Sequence, residues 1–214
     1  KDTDMHPEYI VIHTAAFNGK NCDRDMIDQW HKARNWSGIG YHFVILNDNH
    51  SQKADGIFEN GRATNKMGAH ALGLNDRSLG ICCIGHGDKN DFTAAQYESL
   101  YGLIRRLMTE FSIPIANVIG HREMNNLVEQ ELVSSRYRTS KSCPGNKIDM
   151  DFIREQLSSE MVSSDVEIPV FSVEARLAMA NAIAVLQQHR AQFPNAQDEL
   201  DEFIYHPEII AMTH

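Results

Sequence analysis

The chain of 214 residues is poor in three things: long apolar runs, positive charge and cysteine. No stretch approaches the ~20 consecutive apolar residues that a bilayer-spanning helix needs, so we expect no membrane span. Lysine and arginine number 20 against 29 aspartates and glutamates, and this net charge of -9 argues against nucleic acid as the main partner. Two of the four cysteines, Cys82 and Cys83, are adjacent and cannot easily pair, so we expect free thiols rather than a disulfide framework.

Strand and helix patterns alternate over the first 160 or so residues. Apolar runs predict strands at 9–13, 41–46, 78–85 and 117–121, and the third run is apolar enough for the middle of a sheet. Helices are predicted to begin at Asp23, at Thr93, which forms a capping box with Gln96, and at Asp149. This order of elements predicts an α/β fold, with a mixed central β-sheet flanked by helices.

The last part of the chain has a different pattern. After Ser158 the sequence turns polar, and a separate helix is predicted from Ser172 to about His189. About fifty residues cannot build a large core of their own. We therefore predict a main domain over residues 1–162 and a small helical C-terminal extension over 163–214, which packs on the main domain or on a second copy of it.

Three residues of metal-ligand type, His13, His121 and Cys143, end predicted strands or lie in a loop. Singly each is weak evidence, because a histidine at a strand end is more often a hydrogen-bonded residue than a ligand. The three can nevertheless meet at one edge of an α/β sheet, where such folds gather functional groups. Two imidazoles and a thiolate fill three of the four positions that Zn²⁺ prefers and leave one for a water, whose pKa zinc lowers to about 7. The set is typical of an open, catalytic zinc site.

Seven short motifs surround these three residues. In chain order they are Ile12-His13-Thr14-Ala15-Ala16, Trp30-His31, Gly40-Tyr41-His42-Phe43, Gly68-Ala69-His70-Ala71 with Asn75, Ser78-Leu79-Gly80-Ile81, Gly120-His121-Arg122-Glu123 and Lys141-Ser142-Cys143-Pro144-Gly145. Together they resemble the zinc amidase family that includes phage lysozyme-type N-acetylmuramoyl-L-alanine amidases and animal peptidoglycan recognition proteins. The resemblance implies that His13, His121 and Cys143 hold Zn²⁺. It also implies that Tyr41 and Lys141 are catalytic in a lytic enzyme, which cleaves the amide between N-acetylmuramic acid and L-alanine of bacterial peptidoglycan.

The chemistry of amide hydrolysis is consistent with these roles. The reaction needs a nucleophile and a positive group that stabilises the oxyanion forming on the carbonyl, and Lys141 beside a zinc ion can be that group. Tyr41 can hydrogen-bond the tetrahedral intermediate, although the ordinary pKa of tyrosine, about 10, argues against a simple base role. We therefore expect Lys141 to act as the electrophile and Tyr41 to assist it.

Three further polar residues are expected to contact the substrate. His70 and Asn75 lie in a glycine-rich loop, where polar groups can hydrogen-bond the sugar or the peptide. Arg62 can bind a carboxylate of the stem peptide through its fork of donors. The chain departs from the family pattern at residues 124–138, where many relatives have only a short loop. We expect this insert to form a small helix along the cleft and to alter which stem peptide fits.

Two other hypotheses stay open on the sequence alone. The first is a module that binds peptidoglycan without cutting it, although binding-only relatives typically lack the cysteine ligand that this chain has at Cys143. The second makes Cys143 a nucleophile activated by His121 without a metal. Metal content, chelation and alkylation distinguish the zinc mechanism from the thiol mechanism.

Overall fold

A mixed sheet of five strands forms the centre of the part of the chain that is described, residues 4–162, 172–189 and 192 of a computed structural model. The strands are β1 Tyr9–Thr14, β2 Phe43–Ile45, β3 Phe58–Asn60, β4 Ser78–Cys83 and β5 Val118–Gly120. Their order is β3-β2-β4-β1-β5, with β3 antiparallel to β2 and the other pairs parallel. The apolar run of β4 is fully buried at the middle of the sheet, which confirms the position predicted from its sequence.

Helices accompany these strands, as the alternating pattern predicts. The described residues form α1 Arg24–Lys32, α2 Ala94–Phe111, α3 Met124–Glu129, α4 Met150–Val162 and α5 Val173–His189, with short 3₁₀ turns at Ile115–Asn117, His121–Glu123 and Ser135–Tyr137. The Asp23 side chain accepts the N–H of Met26 at 3.0 Å, and Thr93 forms the predicted capping box. The starts of α1 and α2 are therefore confirmed, and the fold is the predicted mixed sheet flanked by helices.

β4 and β5 are each shorter than predicted, and two other strands differ more from the sequence-based prediction. β2 is shorter than predicted, because the N–H of Gly80 is accepted by Nδ1 of the His42 ring at 3.0 Å rather than by a backbone carbonyl. The sequence pattern does not predict β3, whose three residues carry half-buried and exposed side chains. That strand exists through its pairing with β2, a contact that local propensity does not encode.

Apolar side chains cover both faces of the sheet. On one face Ile12 of β1 packs in one cluster with residues of α2 and α4, among them Leu100 and Ile153. On the other face Val11 packs in a second cluster with apolar residues of α3, so the insert forms the predicted helix and covers β1. Because successive side chains of a strand alternate between faces, His13 lies on the face of Val11.

The chain divides into two compact units, Lys1–Met161 and Val162–His214. Within the second unit, α5 spans Val173–His189, which confirms the helix predicted there. Apart from residues 172 and 192, the rest of the predicted extension, including its start at residue 163, lies outside the described residues. Among the helices that the structure describes, none has the length and apolar character needed to cross a bilayer.

Candidate metal centre

Two neighbouring parallel strands deliver the two histidines of the candidate site. His13 is the penultimate residue of β1, and His121 follows β5 directly as the first residue of a 3₁₀ turn. Their rings are buried, with centroids 4.7 Å apart. Cys143 joins them from the loop before α4, and the donor atoms of the three residues all lie within 4.8 Å of one another. The structure thus brings together the three residues that the sequence predicts as ligands.

Burial keeps both histidines of this site neutral. Desolvation lowers the pKa of His121 to about 4, with a further lowering from the positive charge of Lys141. Desolvation also lowers the pKa of His13 well below its ordinary value, and the neighbouring His121, His70 and Lys141 add to this effect. Neutral imidazoles have a lone pair to offer, so both rings can act as metal donors at neutral pH.

The third donor is a thiol in the metal-free protein. Desolvation raises the pKa of Cys143 to about 11, against the lowering effect of the Thr14 N–H, Lys141 and Arg122. The N–H of Thr14 points at Sγ from 3.4 Å, and Nδ1 of His13 lies 3.6 Å from the same sulfur. The Thr14 N–H, Lys141 and Arg122 favour negative charge on the sulfur without being sufficient to ionise it at neutral pH.

The two predicted catalytic residues flank the three donors. The Tyr41 ring lies 5.1 Å from the His13 ring, between centroids, and its hydroxyl lies beside the thiol of Cys82. Burial raises the pKa of Tyr41 well above its ordinary value, so its hydroxyl is a hydrogen-bond donor and not a base. Lys141 is exposed two residues before Cys143, and its charge acts on all three donor residues.

Two of the predicted substrate contacts lie close to the site but bind protein groups. His70 Nδ1 is 3.0 Å from Nε2 of His13, and Nε2 of His70 faces Ser78. The side-chain oxygen of Asn75 accepts the N–H groups of His70 and Ala71, each at 2.8 Å. The Asn75 side chain therefore holds the loop that carries His70. Contacts of His70 and Asn75 with the substrate stay predictions.

Arg62 lies in a groove of about 510 Å³. Its Nε donates to the carbonyl of Ile39 at 3.0 Å and its Nη1 to the carbonyl of Met67 at 2.7 Å. The same groove is lined by three more cationic residues and one acidic residue, which are Arg24, Lys32, Lys66 and Asp28. The surplus of cationic side chains is consistent with the carboxylate contact predicted for Arg62, which stays a prediction.

Arg122 is a site residue whose role the sequence does not predict. Its guanidinium donates to the carbonyl oxygens of Ser142, Gly145 and Ile148 at 3.2, 2.7 and 2.6 Å. These three residues belong to the loop that carries Cys143, so one side chain holds that loop against the turn that carries His121. In the sequence, only its position directly after His121 marks Arg122 as a residue of the site. The carbonyl groups that it binds are evident only in the folded loop.

An α/β fold that brings two neutral imidazoles and a thiol within 4.8 Å of one another defines a class of protein, those with a candidate metal centre made of three protein donors. Sequence comparison gives the family. Residues 3–146 match the family described as N-acetylmuramoyl-L-alanine amidase, and the chain belongs to that family. It is therefore an enzyme that hydrolyses the amide between N-acetylmuramic acid and L-alanine of peptidoglycan, which confirms the predicted activity.

Individual relatives come from phages, bacteria and animals. The endolysin of Escherichia phage T7 is 31% identical over 162 residues, which cover 73% of this chain and 89% of the phage protein. Peptidoglycan-recognition protein SC2 of Drosophila melanogaster is 30% identical over 148 residues, 65% of this chain and 69% of the fly protein. Among solved structures, the N-acetylmuramoyl-L-alanine amidase LysC from Clostridium intestinale is similar with a TM-score of 0.57 and 32% identity, covering 72% of this chain and 87% of LysC.

Proposed function

We propose that this amidase is zinc-dependent, with Zn²⁺ held by His13, His121 and Cys143, and that it acts as a lytic enzyme on the bacterial cell wall. The observation that carries the zinc site is the convergence of three donor atoms within 4.8 Å of one another. Two neutral nitrogens and a sulfur are the donor chemistry that zinc prefers, whereas calcium and magnesium select oxygen.

One distance tests whether zinc fits these donors. Zinc bonds of about 2.3 Å to sulfur and about 2.05 Å to nitrogen, at the tetrahedral angle, separate the two ligand atoms by about 3.6 Å. Cys143 Sγ and His13 Nδ1 are 3.6 Å apart. The pair therefore has the spacing of two ligands on one tetrahedral ion, and Nδ1 is the nitrogen through which His13 would bind.

The residues around the donors supply the remaining parts of an amide hydrolysis. Zinc, when bound, supplies a Lewis acid and a water of lowered pKa, close to 7. Lys141 places a positive charge beside the donors, where it stabilises negative charge as the scissile carbonyl becomes an oxyanion. Tyr41, protonated at working pH, donates a hydrogen bond to the same developing charge and does not abstract a proton.

The electrostatics of Cys143 argue against the metal-free thiol mechanism. A nucleophilic cysteine needs a lowered pKa and an adjacent base, and here burial raises the pKa of Cys143 to about 11. His121, the base in that hypothesis, has its pKa lowered to about 4 and takes up a proton poorly at neutral pH. In the zinc mechanism the Cys143 sulfur is a metal ligand. That role requires neither an ionised Cys143 in the metal-free protein nor a protonated His121.

The substrate is proposed to be whole peptidoglycan, with residues 1–162 as the catalytic domain. The family match over residues 3–146 and the compact unit Lys1–Met161 support that boundary. The similarity to phage endolysins supports a lytic role. The cationic groove at Arg62 is the proposed contact for carboxylates of the stem peptide, which match its surplus of positive charge.

Product analysis tests this proposal. Purified wall is incubated with the enzyme and the soluble products are identified by mass spectrometry, beside a parallel digestion of small anhydro-muropeptides. The proposal predicts stem peptides that begin with a free L-alanine amine, released faster from whole wall than from the small muropeptides. Faster release from the small substrates would indicate wall recycling, and products with cleaved sugar chains and intact amides would contradict the amidase chemistry itself.

A further inference from the structure

Two buried histidines form a pair beside the proposed metal. Nε2 of His13 lies 3.0 Å from Nδ1 of His70, and the two rings meet edge to face with centroids 5.0 Å apart. A hydrogen bond between two neutral imidazoles has one donor and one acceptor, and the ring positions alone do not say which is which. The groups on the far side of His70 decide it.

Both groups that face Nε2 of His70 are acceptors. The backbone carbonyl oxygen of Ser78 lies 3.4 Å away and can only accept. The Ser78 hydroxyl, also at 3.4 Å, donates its own proton to the carbonyl of Leu74 at 2.7 Å, so it turns lone pairs toward the ring. The proton of the His70 ring is therefore on Nε2. A neutral imidazole carries one ring proton, so a proton on Nε2 leaves Nδ1 of His70 bare and able only to accept.

The bare Nδ1 of His70 sets the proton position on His13. Because Nδ1 can only accept, Nε2 of His13 must carry a proton and donate it. A neutral His13 then has its lone pair on Nδ1, the atom that lies 3.6 Å from Cys143 Sγ. The Ser78 carbonyl thus fixes the proton position on His70, and His70 fixes it on His13. As a result, the lone pair of His13 is on Nδ1, the nitrogen that faces Cys143.

We propose that His70 is a positioning residue, which fixes His13 in the tautomer that presents Nδ1 to the zinc ion. This inference rests on the proposed zinc site. Metal-ligating histidines commonly donate their second N–H to a partner that orients the ring, and loss of such a partner costs about 10–100-fold in metal affinity. The partner here is the imidazole of His70, whose own proton position is fixed by the backbone carbonyl of Ser78.

The chain makes room for the His70 ring at two glycines. A Cβ atom at Gly80 of β4 would lie 2.5 Å from the ring, and a Cβ at Gly68 would also lie 2.5 Å from it, distances that no side chain tolerates. Asn75 fixes the backbone of the same loop through its bonds to the N–H groups of His70 and Ala71. The two glycines therefore leave space for the His70 ring, and Asn75 fixes the backbone that carries it.

This role differs from a substrate contact. Both ring nitrogens of His70 already have protein partners, His13 on one side and Ser78 on the other. A hydrogen bond from the ring to a sugar or peptide would have to break one of them and release the His13 tautomer. The positioning role uses the contacts as they stand.

Zinc affinity of two His70 variants tests the proposal. In His70→Asn the amide oxygen can take the place of the bare Nδ1 and accept from His13, whereas His70→Leu fills space without an acceptor. His31→Asn is the matched control, since His31 is also buried and its Nδ1 accepts the Gly40 N–H at 2.9 Å without contacting His13. By competition with a chromophoric chelator, we expect a loss of about 10–100-fold for His70→Leu, a far smaller loss for His70→Asn and none for the control.

Nitrogen-15 NMR of the metal-free protein gives an independent measurement. Long-range proton–nitrogen correlations report which ring nitrogen is protonated, and we expect Nε2–H on both His13 and His70 in the wild type. The inference is overturned if the wild type binds zinc and His70→Leu binds it equally well, or if metal-free His13 carries its proton on Nδ1. Failure of the wild type to bind zinc would instead refute the proposed zinc site. If His70→Leu does not fold, the wild-type spectrum and His70→Asn still decide the tautomer.

Discussion

The backbone N–H of Arg122 donates to the carbonyl oxygen of Cys143 at 2.7 Å. This bond joins the turn of one proposed zinc ligand, His121, to the loop of another, although 21 positions separate Arg122 from Cys143 in the chain. The Arg122 guanidinium strengthens the same link through three more carbonyls of that loop. The proposed metal site is therefore preorganised by hydrogen bonds between these two segments before any metal enters.

Replacing Arg122 with methionine should destabilise the protein and weaken the site. The change leaves three loop carbonyls without their charged donor, and we expect a loss of about 2–4 kcal/mol in the free energy of unfolding. Urea denaturation of the metal-free protein measures it. Arg138→Met is the control, because its exposed ion pair with Glu129 should contribute less than about 1 kcal/mol. Equal stability of the two variants would contradict the assigned role.

Replacing Lys141 with methionine should slow the reaction without releasing the metal. The positive charge is lost while the donors remain, so we expect kcat to fall by about 10²–10³ with zinc affinity nearly unchanged. Steady-state cleavage of a soluble muropeptide, combined with zinc competition, separates the two effects. Lys147→Met, another exposed lysine of the same loop, should keep kcat within a factor of about two. A normal kcat in Lys141→Met would contradict the electrophilic role assigned to Lys141.

Replacing Tyr41 with phenylalanine should lower kcat by about 10–10² and leave the acidic limb of the pH profile in place. The ring beside His13 is kept and only the hydroxyl is lost. Because burial raises the pKa of Tyr41, that hydroxyl does not ionise across the working range and cannot produce a limb of the profile. Tyr97→Phe, in which a tyrosine of α2 loses its hydrogen bond to Asp91, serves as the control. Disappearance of a pH limb in Tyr41→Phe would show that Tyr41 acts as a base.

Zinc binding should become tighter as the pH rises. Cys143 is a thiol with a pKa of about 11 in the metal-free protein and binds as a thiolate, so one proton leaves on binding. The lowered pKa values of His13 and His121 mean that these rings have no proton to lose above about pH 5.5. We expect affinity to rise about tenfold between about pH 5.5 and 6.5, below the pKa of zinc-bound water. Cys143→Ser should bind weakly and lose this dependence, and a flat wild-type profile would contradict thiolate ligation.

The sequence predicts the frame of the fold because its signals are local. The Thr93–Gln96 capping box, the Asp23 cap and the apolar run of β4 each lie within a few residues and are present as predicted. β3 is absent from the prediction because three partly exposed residues carry no such signal and form a strand only against β2.

The site divides in the same way. Residue types and motif order predict which residues converge, and the three donors do so. The hydrogen-bond chain from Ser78 through His70 to His13, and the Arg122 bonds to the Cys143 loop, join residues whose pairing only the folded chain determines. The sequence therefore predicts which residues form the site. It does not predict the proton positions on the histidines or the hydrogen bonds that hold the Cys143 loop.

The most direct test of the zinc site is the metal content of the purified protein and of its Cys143→Ala variant, measured with wall-degrading activity on the same samples. We expect about one zinc per chain in the wild type, activity that chelation abolishes and added zinc restores, and neither stable zinc nor activity in the variant. Full amidase activity in zinc-free protein, or in Cys143→Ala, would contradict the proposal that His13, His121 and Cys143 hold a catalytic zinc ion.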